Sequence, residues 1–197
     1  SVDFDSIISR SRGVADGMSK GVNFLMKKNK IDILNGFGKI ISKNEVEVTT
    51  EENKKEIHKS DNIIIATGGR SRELPNLKID NEKVIEYRKA MTLEKQPKKM
   101  VVVGSGAIGS EFAYFYNSIG TEVILVEYLP NILPLEDIDV SKQLEKSFKK
   151  AGVNIMTNTE VLSVDTKGKG CKVKYKSGDK EEIIDCDIVL SAVGVQT

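Results

Sequence analysis

The chain has 197 residues, 39% hydrophobic and 30% charged, which is enough apolar material for one large packed domain or two small ones. Its 30 Lys and Arg against 29 Asp and Glu leave a net charge of +1, so no bulk field draws it to nucleic acid or an anionic membrane. The longest apolar runs, such as 100–103, fall far short of the roughly 20 residues that cross a bilayer. Two cysteines, Cys171 and Cys186, are too few for a disulfide scaffold, so reduced thiols in a cytoplasmic setting are expected. No nucleic-acid or membrane partner is expected either. The start, Ser1-Val2-Asp3-Phe4, has neither an initiator Met nor a signal layout, which predicts a piece of a longer chain. A single histidine and no Trp make a thin inventory for catalysis.

In chain order, Phe4, Ile8, Ala15, Met18, Val22 and Leu25 recur at spacings of three and four, predicting an amphipathic helix over 4–25. Gly13, Gly17 and Gly21 lie along one side of it. They mark either a frayed helix, at roughly 1 kcal/mol each relative to Ala, or close packing against a neighbour. Short strands are predicted at 31–34, 38–41, 45–49 and 56–59. The run 62–69 has a continuous apolar core that suits a strand buried on both faces. Residues 70–98, with Pro75, Pro97 and many charges, read as a connector with a short helix near 87–93.

From Lys99 the pattern becomes β-α-β. A buried strand at 100–103 precedes a helix over 107–119, whose apolar face carries Ile108, Phe112, Tyr116 and Ile119. Gly120 ends that helix, and a strand follows at 122–127. A second helix is predicted over 140–151, then further strands ending at 187–193. The two strand-rich segments resemble each other. Ile31-Asp32-Ile33-Leu34 parallels Val153-Asn154-Ile155-Met156, Glu56-Ile57 parallels Glu182-Ile183, Asp61 parallels Asp187, and Ala66-Thr67-Gly68 parallels Ala192-Val193-Gly194. The order of elements predicts two copies of one nucleotide-binding unit. The first copy lacks its β-α-β start, which would lie upstream of Ser1.

Gly104-Ser105-Gly106-Ala107-Ile108-Gly109 fits the G-x-G-x-x-G dinucleotide fingerprint, and its strand-before, helix-after context is the required one. Gly104 allows the tight turn, Gly106 keeps a side chain off the pyrophosphate, and Gly109 lets helix approach sheet. The pyrophosphate would sit at the positive helix start. Glu127 closes the next strand, where a carboxylate accepts hydrogen bonds from the adenosine ribose and repels a 2′-phosphate, favouring NAD over NADP. Glu111, near the start of the helix, has two readings: a partner for the helix dipole, or a group aimed at the reacting end of the dinucleotide. His58 reads as a surface or strand-filling residue, and Cys171 and Cys186 as packing thiols.

Together, Asn35-Gly36-Phe37-Gly38-Lys39-Ile40, Ile64-Ile65-Ala66-Thr67-Gly68, Gly104 to Glu111 and Ser191-Ala192-Val193-Gly194 resemble the FAD- and pyridine-nucleotide-dependent disulfide oxidoreductases. Asn35 to Ile40 and Glu127 resemble the dihydrolipoamide dehydrogenase branch. The resemblance implies an α/β fold: a Rossmann-like NAD-binding domain with a β-meander crossover at 93–197, and a truncated FAD-binding domain of the same type at 1–92. It implies FAD contacts at Gly38, Ala66, Thr67 and Gly68. It implies an NAD site formed by Gly104, Ser105, Gly106, Ala107, Ile108, Gly109, Ser110, Glu111, Glu127, Val161 and Gly194.

The activity implied is oxidation of dihydrolipoamide through a Cys-x4-Cys pair and FAD to NAD+. The implied partners are the lipoyl-bearing subunit of a 2-oxo acid dehydrogenase complex and a second copy in a homodimer. The implied location is the cytoplasm, or the mitochondrial matrix in a eukaryote. The first fingerprint, the redox Cys pair and the C-terminal dimer domain with its acid–base pair do not occur in this sequence. The chain alone is therefore expected to bind NAD(H) without catalysing, and no catalytic or metal-binding residue is assigned within it. Alternative readings are another flavoprotein disulfide reductase or NADH peroxidase-like enzyme, and a non-catalytic NAD-sensing domain.

Overall fold

The structure, a computed structural model, describes residues 2–197. In chain order the elements are α1 (Phe4–Lys28), β1 (Phe37–Ser42), β2 (Glu45–Thr49), β3 (Lys55–Lys59), β4 (Arg70–Ser71), β5 (Val84–Ile85), α2 (Tyr87–Ala90) and β6 (Lys99–Val103). They continue with α3 (Ala107–Ser118), β7 (Glu122–Val126), α4 (Ile138–Ala151), β8 (Asn154–Met156), β9 (Thr159–Asp165), β10 (Cys171–Ser177), β11 (Lys180–Cys186), β12 (Ile188–Ser191) and β13 (Val195–Gln196). The chain divides into two compact units, one formed by Ser9–Gly68 and the other by Gly69–Thr197 with the chain up to Ile8.

The larger unit is built on a five-stranded sheet in the order β5-β12-β6-β7-β8, parallel at every pairing. Its apolar runs are continuous because both faces are covered, and their side chains sort between the faces with period two. Met100, Val102, Val123, Leu125, Ile85 and Leu190 share one apolar cluster with the α3 residues Ala113 and Tyr116, Phe148 of α4 and Phe4. Their strand neighbours Val101, Val103, Ile124, Val126, Val84 and Val189 share the other with Val161, Cys171, Val173 and Cys186 of the antiparallel meander β9-β10-β11. The sheet therefore lies between a helical layer and a meander layer. Gly152, in the left-handed region at φ 97°, closes α4 and turns the chain into β8.

This compact unit begins well before residue 93. Val84 and Ile85 add to the sheet edge beside β12, β4 pairs with β13, and Leu77 is buried in the meander-side cluster. The connector at 70–98 thus carries the edge strand β5 and the one-turn helix α2. Its charges hid the strand, since only two residues of it face a core.

The smaller unit contains the antiparallel meander β1-β2-β3 and α1 from Ser9 onward. Both copies of the predicted repeat therefore fold a three-stranded meander. Two predicted strands do not form. Residues 31–34 and 62–69 are irregular, and Ile64 and Ile65 are 90% and 71% exposed. The reason is pairing: a strand needs ladder neighbours, and among the described residues neither segment is paired with another strand. Their counterparts at 154–156 and 188–191 do pair, with β7 and with β5 and β6. Gly13, Gly17 and Gly21 of α1 have no atom within 4 Å of where a Cβ would stand, so close packing at these glycines is not present in this structure.

Candidate functional site

At the C-terminal end of β6 the chain turns sharply into α3. Gly104 adopts φ +96°, and a Cβ on it would stand 2.5 Å from the carbonyl oxygen of Ala192 at the end of β12. A Cβ on Gly109 would run into the carbonyl oxygen of Gly104, so helix and loop touch through bare backbone. Gly106 differs from both. Its φ of −64° suits any residue, and nothing lies within 4 Å of its absent Cβ. Gly106 is also the N-cap of α3 and supplies no side-chain cap, leaving the first N–H groups of the helix without the usual side-chain acceptor.

Glu127, one residue beyond β7, holds the loop in place. It is 7% exposed, and Oε2 accepts from Ser105 N at 2.9 Å and from Ser105 Oγ at 2.6 Å. Its Oε1 accepts from Leu129 N at 2.9 Å. Ser110 Oγ donates to the carbonyl oxygen of Ser105 at 3.0 Å. Charge-assisted bonds of this kind are the strong class, so the buried carboxylate is offset by donors and fixes the Gly-rich turn against the end of β7.

These groups open onto a cavity of about 630 Å³ at the carboxyl ends of β6, β7 and β12, the position at which open α/β sheets hold ligands. Of the residues expected in a nucleotide site, Gly104, Ser105, Gly106, Glu127, Val161 and Gly194 line it. Ala107, Ile108, Gly109, Ser110 and Glu111 lie on the first turns of α3 and do not line it. Gly109 and Ser110 are buried there, and Glu111 is exposed. Gly38, Ala66, Thr67 and Gly68 belong to the smaller unit, where all four are exposed.

Sequence reasoning missed Arg72, Asn76, Tyr128, Thr159 and Glu160, which also line the cavity. Asn76 Nδ2 donates to the carbonyl oxygen of Val161 at 2.5 Å, and Arg72 N donates to that of Gly194 at 2.9 Å. The segment read as a connector is therefore a strap bonded to both β9 and the turn after β12. Tyr128 had a signal, since it follows Glu127 directly. Asn76 and Arg72 had none, because their partners lie far away in sequence. His58 sits beside Glu56, with Nε2 to Oε2 at 3.4 Å, and does not line this cavity. Among the described residues no group of three or more His, Cys, Asp or Glu side chains is placed to hold a metal. No described helix is long and apolar enough to cross a membrane.

The family model for pyridine nucleotide-disulphide oxidoreductases matches residues 2–197. The chain belongs to that family. Among curated relatives, the dihydrolipoyl dehydrogenase of Zymomonas mobilis is 41% identical over 90% of the chain and 38% of its own length. The mitochondrial dihydrolipoyl dehydrogenase of Pisum sativum is 35% identical over 98% of the chain and 39% of its own. The chain thus spans about two fifths of the curated relatives it matches. Among solved structures, LpdA from Mycobacterium tuberculosis superposes with a TM-score of 0.89 at 26% identity, covering 99% of the chain and 43% of that protein. The mixed α/β architecture with its parallel sheet is that of the family.

Proposed function

We propose that this oxidoreductase chain supplies the NAD(H)-holding part of a flavoprotein that oxidises dihydrolipoamide to lipoamide and reduces NAD+. The observation that carries the reading is Gly106: a residue whose backbone needs no glycine is one, and the space left faces the cavity of about 630 Å³ beneath the start of α3. A dinucleotide pyrophosphate there would lie against backbone, on the N–H groups and dipole of the helix start. Glu127 would orient the adenosine ribose through its hydroxyls and exclude a 2′-phosphate by charge. Val161 and Gly194 would border the rest of the nucleotide, and Glu111, on the first turns of α3, stands as the candidate group toward its reacting end.

NAD+ supplies a hydride acceptor and FAD an electron carrier in such enzymes. Gly38, Ala66, Thr67 and Gly68 would touch FAD, yet their exposure in the smaller unit gives no enclosed flavin site, so no step is derived through it. The two cysteines of the chain are not spaced as Cys-x4-Cys, and the 197 residues are proposed to bind NAD(H) without turning over substrate. For the whole protein we propose a partner bearing lipoyl groups, the lipoyl-bearing subunit of a 2-oxo acid dehydrogenase complex. A homodimer in the cytoplasm or mitochondrial matrix completes the reading.

Calorimetric titration with NADH and NADPH tests it. NADH binding at least about tenfold tighter than NADPH, with binding lost in Gly106→Val while the circular dichroism spectrum is unchanged, is the expected result. Equal affinity for the two nucleotides, or undiminished binding by Gly106→Val, would refute it.

A further inference from the structure

Register β10 against β11 and Cys171 falls directly opposite Cys186, a juxtaposition invisible in their sequence separation. Opposed residues of an antiparallel pair have Cα atoms about 4.5–5.5 Å apart, inside the window of about 4.4–6.8 Å that a disulfide requires. Both side chains are buried in the meander-side apolar cluster, and the Cys171 sulfur lies 3.7 Å from the carbonyl oxygens of Lys83 and Asp187. Both also line a second cavity of about 440 Å³, bordered by Gly168, Gly170 and the lysines Lys98, Lys99, Lys169 and Lys172. A Cβ on Gly170 would run into the carbonyl oxygen of Cys186, so bare backbone walls the approach beside the pair. This cavity is separate from the cleft at the carboxyl ends of the sheet: no residue lines both.

We propose that Cys171 and Cys186 are a dithiol site that a hydroperoxide entering this cavity converts to an intrachain cross-strand disulfide. The Cys186 side chain beside it holds the Cys171 thiol below its ordinary range against the opposing effect of burial, and Lys83 adds to the lowering. The neighbouring Cys171 side chain and burial push the Cys186 thiol up. Cys171 is therefore the attacking sulfur and Cys186 the resolving one. Asp80 opposes the lowering at Cys171, and Asp187 contributes to the rise at Cys186. The carboxylates Asp165 and Asp185 also border the cavity.

In the first step the Cys171 thiolate attacks one peroxide oxygen. An S–O bond forms, the O–O bond breaks, and the departing hydroxide takes up a proton to leave as water. In the second step the Cys186 sulfur attacks the Cys171 sulfenic acid, the S–S bond forms, and the S–O bond breaks. The thiol proton leaves with the hydroxide as a second water. Two electrons pass from the sulfurs to the peroxide, and external thiols reverse the reaction by exchange.

The 197-residue chain has these two cysteines and no others, so its mass reads the reaction directly. The folded chain is treated with hydrogen peroxide, then denatured, alkylated and weighed. The expected product has lost two hydrogens and both titratable thiols, runs as a monomer without reductant, and regains both thiols with dithiothreitol. Cys186→Ser is expected to stop at a sulfenic acid that a 1,3-dione traps, whereas Cys171→Ser is expected to react about tenfold more slowly. The wild-type mass stands whether or not these variants fold. Two unreacted thiols in the folded chain, cross-linking only after unfolding, intermolecular dimers, or over-oxidation without the disulfide would each overturn the proposal.

Discussion

Gly104, Gly106 and Gly109 are the same residue type in one motif, yet physically they are not equivalent. The first and last are demanded by backbone: a positive φ with the Ala192 carbonyl 2.5 Å from a would-be Cβ, and contact with the Gly104 carbonyl oxygen. Only Gly106 faces open space. Replacing either backbone-demanded glycine by Ala forces strain or a shift, and a loss of about 2 kcal/mol or more is expected for each. Gly106→Ala, which gives up only glycine's preference over alanine at an N-cap, is expected to cost about 1 kcal/mol or less. Urea unfolding followed by circular dichroism distinguishes the two classes, and similar losses at all three positions would contradict this division of roles. The fingerprint itself was legible from spacing alone. So was the expected division into turn, cleft and packing glycines; the Ala192 carbonyl that crowds Gly104, from just beyond β12, was not.

At the scale of the element, strands with nearly the same sequence pattern meet different fates. Residues 188–191 form β12 between β5 and β6, whereas the similar run 62–65 is irregular and exposed. Apolar content marks what a segment would do if paired, but pairing itself needs neighbours. The edge strand β5 makes the converse point. It is only two residues long and is delivered to the sheet by Asp80, whose Oδ1 accepts from the N–H groups of Glu82, Lys83 and Val84 at 2.8, 2.8 and 2.9 Å. Burial pushes the Asp80 carboxyl up, but these donors outweigh it and hold it below the ordinary carboxylate range.

A depressed folded-state pKa stabilises the fold above the unfolded value and is lost as pH falls through the folded one. Asp80→Asn is therefore expected to be less stable than the parent at pH 7, with the gap closing below about pH 4. Thermal unfolding across that range is the check, and a gap that stays constant into acid would refute the assignment. The effect is expected to be small, since this carboxylate is mostly solvated.

At the scale of the whole molecule, burial is unevenly shared. The larger unit has two apolar clusters on opposite faces of its sheet, while in Ser9–Gly68 the buried hydrophobic core consists of Val48. Free energies of local opening follow such differences. Amide hydrogen exchange on the 197-residue chain is accordingly expected to be fast through β1, β2 and β3 and the distal part of α1, and slowest in β6, β7 and β12. Equal protection in both units would show a cooperative core that the contacts do not contain.

Local pattern was sufficient for several features. Period-two and period-3.6 spacing, glycine stops and the fingerprint marked both halves of the β-α-β unit, the meanders of the repeat and the nucleotide-type loop, because each depends on residues close together in the chain. Other features depended on contacts between distant segments. The strap carrying Arg72 and Asn76 over the cleft, the two-residue edge strand and the two hydrogen bonds by which Glu127 clamps Ser105 each join segments distant in the chain, and the opposition of Cys171 to Cys186 depends on the register of β10 against β11. The strand at 62–65 failed for the same reason. A backbone hydrogen-bond ladder is satisfied by a neighbour in space, and sequence specifies the side chains a strand offers before it specifies whether anything stands beside it.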